Sequence, residues 1–344
     1  MKVLIAGGAG FIGSTIALAC ADAGITPVIV DNLATGRAEF AEGFAFHQGD
    51  MADGALIDKI FAEHPDIDAA VLAAALIVVP DSVADPIGYY RANVVASLEF
   101  AAHLLRNGCG RLIFSSSASI YQPGEDLTVD EDSPLNPQSP YARSKAITET
   151  IFADIAAAEP VRILSLRYFN PIGADPRMRT GLQIADPSHA LGKILQSLSE
   201  QNVFHVTGTD YSTRDGTGIR DYVHVWDLAT AHVAALQRFD ALFASTGFAS
   251  TGSAGSGMTS SYVVINLGTG TGTTVRELVT AVGRVTGTPV PVRDAPARPG
   301  DVVGAYPRID KARRLLGWEP RFGIDDGIRH SLEWAQVRRS RLGV

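Results

Sequence analysis

The sequence predicts an α/β fold, a doubly wound parallel sheet with a smaller α/β domain attached. Three observations carry that prediction. A short apolar run, Lys2 to Ala6, leads into Gly7-Gly8-Ala9-Gly10-Phe11-Ile12-Gly13 and then a helical stretch, Ser14 to Ala23. A second apolar run, Pro27 to Val30, ends at Asp31. Strand-like and helix-like segments then alternate through the first half of the chain.

Taken in order, Lys2 to Ala6 has the apolar, β-branched character of a parallel strand buried on both faces. Gly7, Gly10 and Gly13 then provide a tight turn, a close approach of backbone to a pyrophosphate, and close packing of helix on strand, with the helix N-terminus facing the anion. Asp31 stands eighteen residues after Gly13. A carboxylate there accepts from adenosine ribose hydroxyls and repels a 2'-phosphate, which predicts NAD rather than NADP. Phe44 to Gln48, Ala69 to Ala75 and Arg111 to Ser115 continue as strands, with helices over Ala55 to Glu63 and Val94 to Arg106. Asp50, after the third strand, either accepts from the adenine amino group or caps the next helix. The alternation makes the first domain Rossmann-like.

A length of 344 residues corresponds to about two domains, enough for a substantial core. With 46% hydrophobic and 19% charged residues, the composition excludes a disordered chain. The formal charge of -8 opposes binding to nucleic acid or to an anionic membrane, so any small anion must be held by a local device. Cys20 and Cys109 are the two cysteines, and they lie in no metal-ligand spacing, which predicts neither a metal nor a disulfide. The N-terminus lacks a secretory pattern and no apolar run reaches about 18 residues, which predicts a cytoplasmic protein.

The strand from Arg111 ends in Ser115-Ser116-Ser117-Ala118-Ser119, placing hydroxyls at the edge of the sheet where such folds bind ligands. Further on, Tyr141 and Lys145 are four residues apart at the start of a helix and share one face. An ammonium beside a phenol favours the phenolate, so the pairing predicts a lowered Tyr141 pKa and a general base.

These residues, with the runs Phe114 to Tyr121, Leu166 to Gly173, Asp215 to Val225 and Asn266 to Gly270, resemble the UDP-glucose 4-epimerases of the extended short-chain dehydrogenase/reductase family over nearly the whole chain. The resemblance implies that Tyr141 takes the proton of a sugar 4-hydroxyl, that Lys145 holds the nicotinamide ribose and that Ser117 bridges the 4-oxygen. Hydride would pass from C4 to NAD and return to the other face of a 4-keto sugar. The implied NAD contacts are Gly7, Gly10, Phe11, Ile12, Gly13, Asp31, Asn32, Asp50, Met51, Ala73, Asn93, Ser115, Tyr141, Lys145 and Tyr168. Dehydratases and decarboxylases of the family carry acids where this chain has Ala118 and Ser119, so an elimination lacks its second acid or base.

The same resemblance divides the chain into an NAD-binding domain, 1–172, rejoined by segments around 220–240 and 262–270, and a UDP-sugar domain, 173–344. It implies substrate contacts at Ser117, Ser119, Tyr141, Asn170, His189, Ala190, Arg220, Arg298, Asp301 and Ala305. Arginine suits a diphosphate through its fork of donors. Ile77, His189 and Ala305 depart from the family pattern, and the small Ala305 leaves room for a larger substituent. Arg177 and Arg179 follow the Asn170 segment closely enough to pair with a sugar carboxylate, which keeps UDP-glucuronate as a second substrate and UDP-N-acetylhexosamines as a third, behind UDP-glucose and UDP-galactose. A net redox enzyme or a non-catalytic NAD sensor are the competing readings. Family pairing implies a homodimer through Val94 to Arg106 and Ser144 to Ala158. Residues 244–261, almost wholly Ala, Ser, Thr and Gly, read as a flexible insertion.

Overall fold

The computed structural model describes residues 1–184, 187–245, 261–297 and 302–343. Seven parallel strands form the central sheet in the order Tyr262–Leu267, Arg162–Tyr168, Arg111–Ser117, Ile67–Leu72, Lys2–Ala6, Thr26–Asp31, Ala45–Gln48. The chain winds outward from Lys2–Ala6 in one direction, then crosses to Ile67–Leu72 and winds in the other. A crevice opens at such a reversal beyond the carboxyl ends of the strands, and there ligands bind.

Alternation along the first strand explains the layers. Val3 and Ile5 pack with Ile16, Ala17, Leu228 and Ala231 on one face, whereas Leu4 and Ala6 pack with Ile57, Ile60, Phe100 and Phe152 on the other. Helix Phe11–Asp22 lies against helix Val225–Gln237. The inserted run 246–260 lies outside the described residues.

The remainder forms smaller layers. A four-stranded sheet runs Thr273–Thr274, Ile219–Arg220, Gly304–Pro307, Thr128–Val129, and two parallel pairs join Asn170–Ile172 to Tyr222–His224 and Phe204–Thr207 to Val292–Ala295. Helices Ala190–Ser199, Val275–Thr286 and Ile324–Leu342 close a separate core around Ile172, Leu191, Ile194, Leu278 and Ile328. No described helix is long and apolar enough to cross a membrane.

Boundaries differ from the sequence reading where backbone bonds decide them. The first helix begins at Phe11, three residues earlier than expected, because Gly10 is its cap. The fourth strand stops at Leu72, since Ala73 and Ala74 both donate their N–H to the carbonyl of Ala6 (2.9 Å each) and the chain turns beneath Gly7. Helix Gly54–Glu63 is capped by Asp53, whose Oδ1 accepts from Ala55 (3.0 Å) and Leu56 (3.3 Å). Asp50 instead closes a turn onto the Ala52 N–H (2.9 Å), which corrects the capping alternative and leaves its second oxygen outward.

Candidate active site

The glycine turn is shaped by two positions. Gly7 has φ +81° and a Cβ there would stand 2.5 Å from the Ala74 nitrogen. A Cβ on Gly13 would meet the Gly7 carbonyl oxygen at 2.1 Å. Side chains at either position would push the helix off the strand. Helix Phe11–Asp22 has no side-chain cap and no acid in its first turn, so its leading N–H groups and positive dipole end face the crevice. Asp31 ends the second strand nearly buried. Its Oδ2 accepts from Ala9 (2.9 Å) and its Oδ1 from Leu33 (2.8 Å), which fixes the carboxylate against the glycine turn with a lone pair remaining on each oxygen. Cradle, bare helix end and acid together fit a dinucleotide whose ribose carries free hydroxyls.

Around this cradle the expected contacts fall into two groups. Phe11 and Ile12 open the helix, Ala73 follows the fourth strand, Met51 is buried in the core, and Asn32 turns its Oδ1 onto the Ala34 N–H (3.0 Å). Asn93 is different. Its Oδ1 accepts from the Leu76 N–H (2.8 Å), and its Nδ2 donates to the Leu76 carbonyl (2.9 Å) and Ser144 Oγ (3.1 Å). Both amide hydrogens are committed within the protein, so Asn93 holds the loop after the fourth strand instead of offering its amide to a ligand.

Ser117, Tyr141 and Lys145 come together from two elements. Ser117 ends strand Arg111–Ser117, its Oγ 2.9 Å from Ser119 Oγ. Helix Pro140–Ala158 starts where Ser139 Oγ accepts from the Ala142 N–H (3.1 Å), with Pro140 in the first turn. That start presents Tyr141 to Ser117 as a hydrogen-bond partner and places Lys145 one turn deeper. The Lys145 ammonium donates to the Ser115 carbonyl (2.9 Å) and lies 4.9 Å from the centre of the Phe114 ring. Burial brings Lys145 down to about 8, with Glu149 opposing. Tyr141 is pushed above the ordinary tyrosine value by burial, opposed only by the Ser117 hydroxyl. This corrects the expectation of a phenol lowered by its lysine: the ammonium faces the strand carbonyl, and the ligand-free chain holds Tyr141 protonated. Tyr168 is likewise raised by burial.

Beneath the cluster lies a polar network that periodicity did not reveal. Glu149 and Arg167 form a buried ion pair (2.5 Å), Ser116 donates to Glu149 (2.5 Å), and Arg167 donates to Tyr121 (2.8 Å), which in turn donates to Asn266 (2.7 Å). Charged side chains read as solvated until a fold pairs them. A second case is Asp221, fully buried, which accepts from the N–H groups of Thr269 and Gly270 (2.9 Å each) and from the Thr269 hydroxyl (2.8 Å). It stitches two of the quoted sequence runs to each other.

The sugar side departs further from expectation. Arg179 chelates Asp175 (2.5 Å) and Asp22 (2.9 Å), and Arg177 reaches Asp22 at 3.4 Å. Asp22 is the last residue of the helix whose first turn faces the crevice, about 17 Å away along a rise of 1.5 Å per residue. Both arginines are therefore paired with carboxylates at the far end of that helix. His189 caps helix Ala190–Ser199, its Nδ1 accepting from Gly192 (3.2 Å), and burial lowers it to about 4. Arg220 donates to the carbonyls of Ile219 (2.7 Å), Val303 (2.9 Å) and Val302 (3.1 Å). Asn170 opens strand Asn170–Ile172. Ala305 and Ala118 both pack on a cluster of Tyr121, Val129 and Phe169. Ile77 is exposed. Arg298 and Asp301 lie outside the described residues.

Elsewhere His47, Glu63 and His64 bring three donor atoms within 4.8 Å of one another. Lys2 stands 3.5 Å from His64 Nδ1 and Lys59 3.8 Å from Glu63, so ammonium groups already face two of the three donors.

A doubly wound sheet that sets a hydroxyl, a phenol and an ammonium beside a dinucleotide cradle defines a dinucleotide-dependent enzyme of hydroxyl and carbonyl chemistry. The chain belongs to the NAD dependent epimerase/dehydratase family, whose model matches residues 3–246. It is 39% identical to a UDP-glucose 4-epimerase of Azospirillum brasilense, over 99% of this chain and 94% of the relative. Among solved structures it resembles a Stenotrophomonas maltophila UDP-glucose 4-epimerase with bound NAD and formylated UDP-arabinopyranose (TM-score 0.89, 34% identity, 99% of each chain). A Bifidobacterium longum UDP-glucose 4-epimerase in complex with NAD+ and UDP is also similar (TM-score 0.84, 33% identity, 98% of each chain).

Proposed function

We propose that this chain is an NAD-dependent UDP-hexose 4-epimerase that interconverts UDP-glucose and UDP-galactose. The observation that carries the reading is the meeting of Ser117, Tyr141 and Lys145 at the carboxyl edge of the sheet, beside the glycine cradle. When bound, NAD supplies the acceptor and donor of hydride at C4. Tyr141 takes the 4-hydroxyl proton and gives one back to the 4-oxygen, Ser117 holds that oxygen, and Lys145 keeps a positive charge near the ribose and phenol. Because the free phenol is held protonated, the ligand-bound site must lower it before proton removal. Neither Ala118 nor Ser119 provides a second acid or base, which supports epimerisation over elimination. Relatives of the same name, and similar structures with NAD or UDP, support cofactor and substrate class.

Purified protein should interconvert UDP-glucose and UDP-galactose in a coupled assay without stoichiometric NADH release. Turnover of UDP-glucuronate alone would sink this reading, and the pairing of Arg177 and Arg179 with Asp22 removes the residues that favoured it. The small Ala118, next to Ser117 in the chain, and the small Ala305 on the same Tyr121, Val129 and Phe169 cluster support UDP-N-acetylhexosamines as additional substrates. Exposed Val95, Leu98 and Ile147, on helices flanking the sheet, support a homodimer. Ile147→Glu should then halve the mass measured by light scattering.

A further inference from the structure

Glu149 lies one helical turn beyond Lys145, within helix Pro140–Ala158, and no part of the chemistry above uses it. Its carboxylate is among the most completely partnered groups in the protein. Oε1 accepts from Ser116 (2.5 Å) and Arg167 Nε (2.9 Å), while Oε2 accepts from Arg167 NH2 (2.5 Å) and Nε (3.2 Å). Only 6% of either side chain is exposed. Burying two charges is costly, and replacing such a pair with apolar residues is often neutral or stabilising, so stability alone is a weak reason for it.

The placement supplies a better one. Ser115, Ser116 and Ser117 are consecutive: the carbonyl of the first accepts from Lys145, the hydroxyl of the second donates to Glu149, and the third meets Tyr141. We propose that Glu149 is a positioning residue for the site, clamped by Arg167 and Ser116 so that its negative charge keeps Lys145 an ammonium on the Ser115 carbonyl. This rests on the reading of Lys145 as a site residue. The groups packed around the pair are Tyr141 on the same helix, Arg167 and Tyr168 on strand Arg162–Tyr168, Tyr121 after Ser117, and Tyr262 on the edge strand. Burial raises all four phenols, which leaves Glu149 and Arg167, with Glu131 and Lys311 on the far side of Arg167, as the remaining titratable groups. Of the two partners in the ion pair it is Glu149, one turn from Lys145, that acts on the lysine, and Arg167 holds it in place.

The test follows Lys145 directly, by the pH titration of its ε-carbon signal in lysine-labelled, ligand-free protein, assigned by its loss in Lys145→Met. In the parent, burial and Glu149 together set that titration near 8. Glu149→Gln should move it down by about one pH unit, because it removes the anion that opposes burial. Glu149→Asp should restore most of the shift. If Glu149→Gln folds poorly, the uncharged pair Glu149→Gln/Arg167→Met leaves no unpaired buried charge and should shift Lys145 down in the same direction. The alkaline limb of kcat/KM should follow the same order. A Lys145 titration unmoved in a folded Glu149 variant, with activity reduced equally at every pH, would overturn the proposal. A parent enzyme without UDP-hexose turnover, or Lys145→Met with unchanged activity, would instead remove the functional reading while leaving the titration to judge Glu149.

Discussion

The two halves of the site are built from different materials. On the cofactor side, recognition is assigned to backbone: a turn that excludes side chains at Gly7 and Gly13, a helix end, and one carboxylate held by N–H groups. On the sugar side it is assigned to side chains whose positions depend on what else they can pair with. A backbone device is written in consecutive residues and survives folding unchanged. A side-chain device is settled only when distant partners arrive, as Asp22 arrives at Arg179 across 157 positions.

The sharpest way to break this contrast is at the reacting atoms. Tyr141→Phe should lower kcat by about 10²–10⁴-fold while leaving NAD bound, because it deletes the proton-handling group and no backbone; a variant as fast as the parent would refute the assignment. Gly13→Ala should act through the cradle, cutting NAD affinity at least tenfold, or about 1.4 kcal/mol, as followed by nicotinamide or tryptophan fluorescence. The arginines sharpen the sugar half. Arg179→Ala leaves the fully buried Asp175 with only the N–H groups of residues 177 and 179 and should cost about 2 kcal/mol in urea unfolding, with KM for the UDP-sugar unchanged. Arg177→Ala, at a largely exposed position, should cost about 0.5 kcal/mol or less and again leave KM alone. A rise in KM for either would return these residues to the pocket.

The smallest effect concerns acid. Burial lowers His189 to about 4, His224 to about 3 and His232 to about 4. The folded chain keeps these rings neutral at pH values where the unfolded chain is protonated. Their contribution is therefore full above about 6.5 and is lost as pH falls towards 4, where unfolding takes up about three protons. Thermal melts between pH 7 and 4.5 should fall in that window, and His232→Gln should flatten the slope.

Legibility in the sequence follows the same division. The alternation of Val3 to Ala6, the glycines and Asp31 were readable because each is a local pattern with a local cause. Tyr141 and Lys145 were readable as a pair, since a helix fixes their spacing, but the direction of the Tyr141 shift was not, because the carbonyl that draws Lys145 away lies 30 residues upstream. Asp53 replaced Asp50 as a cap for want of backbone geometry in the sequence. Glu149 carried no signal, and Arg167 entered only as part of the Leu166 to Gly173 run: their pairing appears when helix and strand are laid together.

The Asn93 amide has a consequence for how this molecule can change. Because it grips both the N–H and the carbonyl of Leu76, the excursion from Ile77 to Tyr90 leaves from and returns to a single side chain. That excursion is two short helices, Val79–Ala84 and Pro86–Tyr90, packed on the helix that carries Tyr141, with Tyr89 buried and its hydroxyl donating to the Val78 carbonyl (2.6 Å). Whatever shifts that stretch is therefore passed to the helix carrying Tyr141, and its exposed Ile77, Val83 and Ile87 are the positions where a substitution disturbs the packing least.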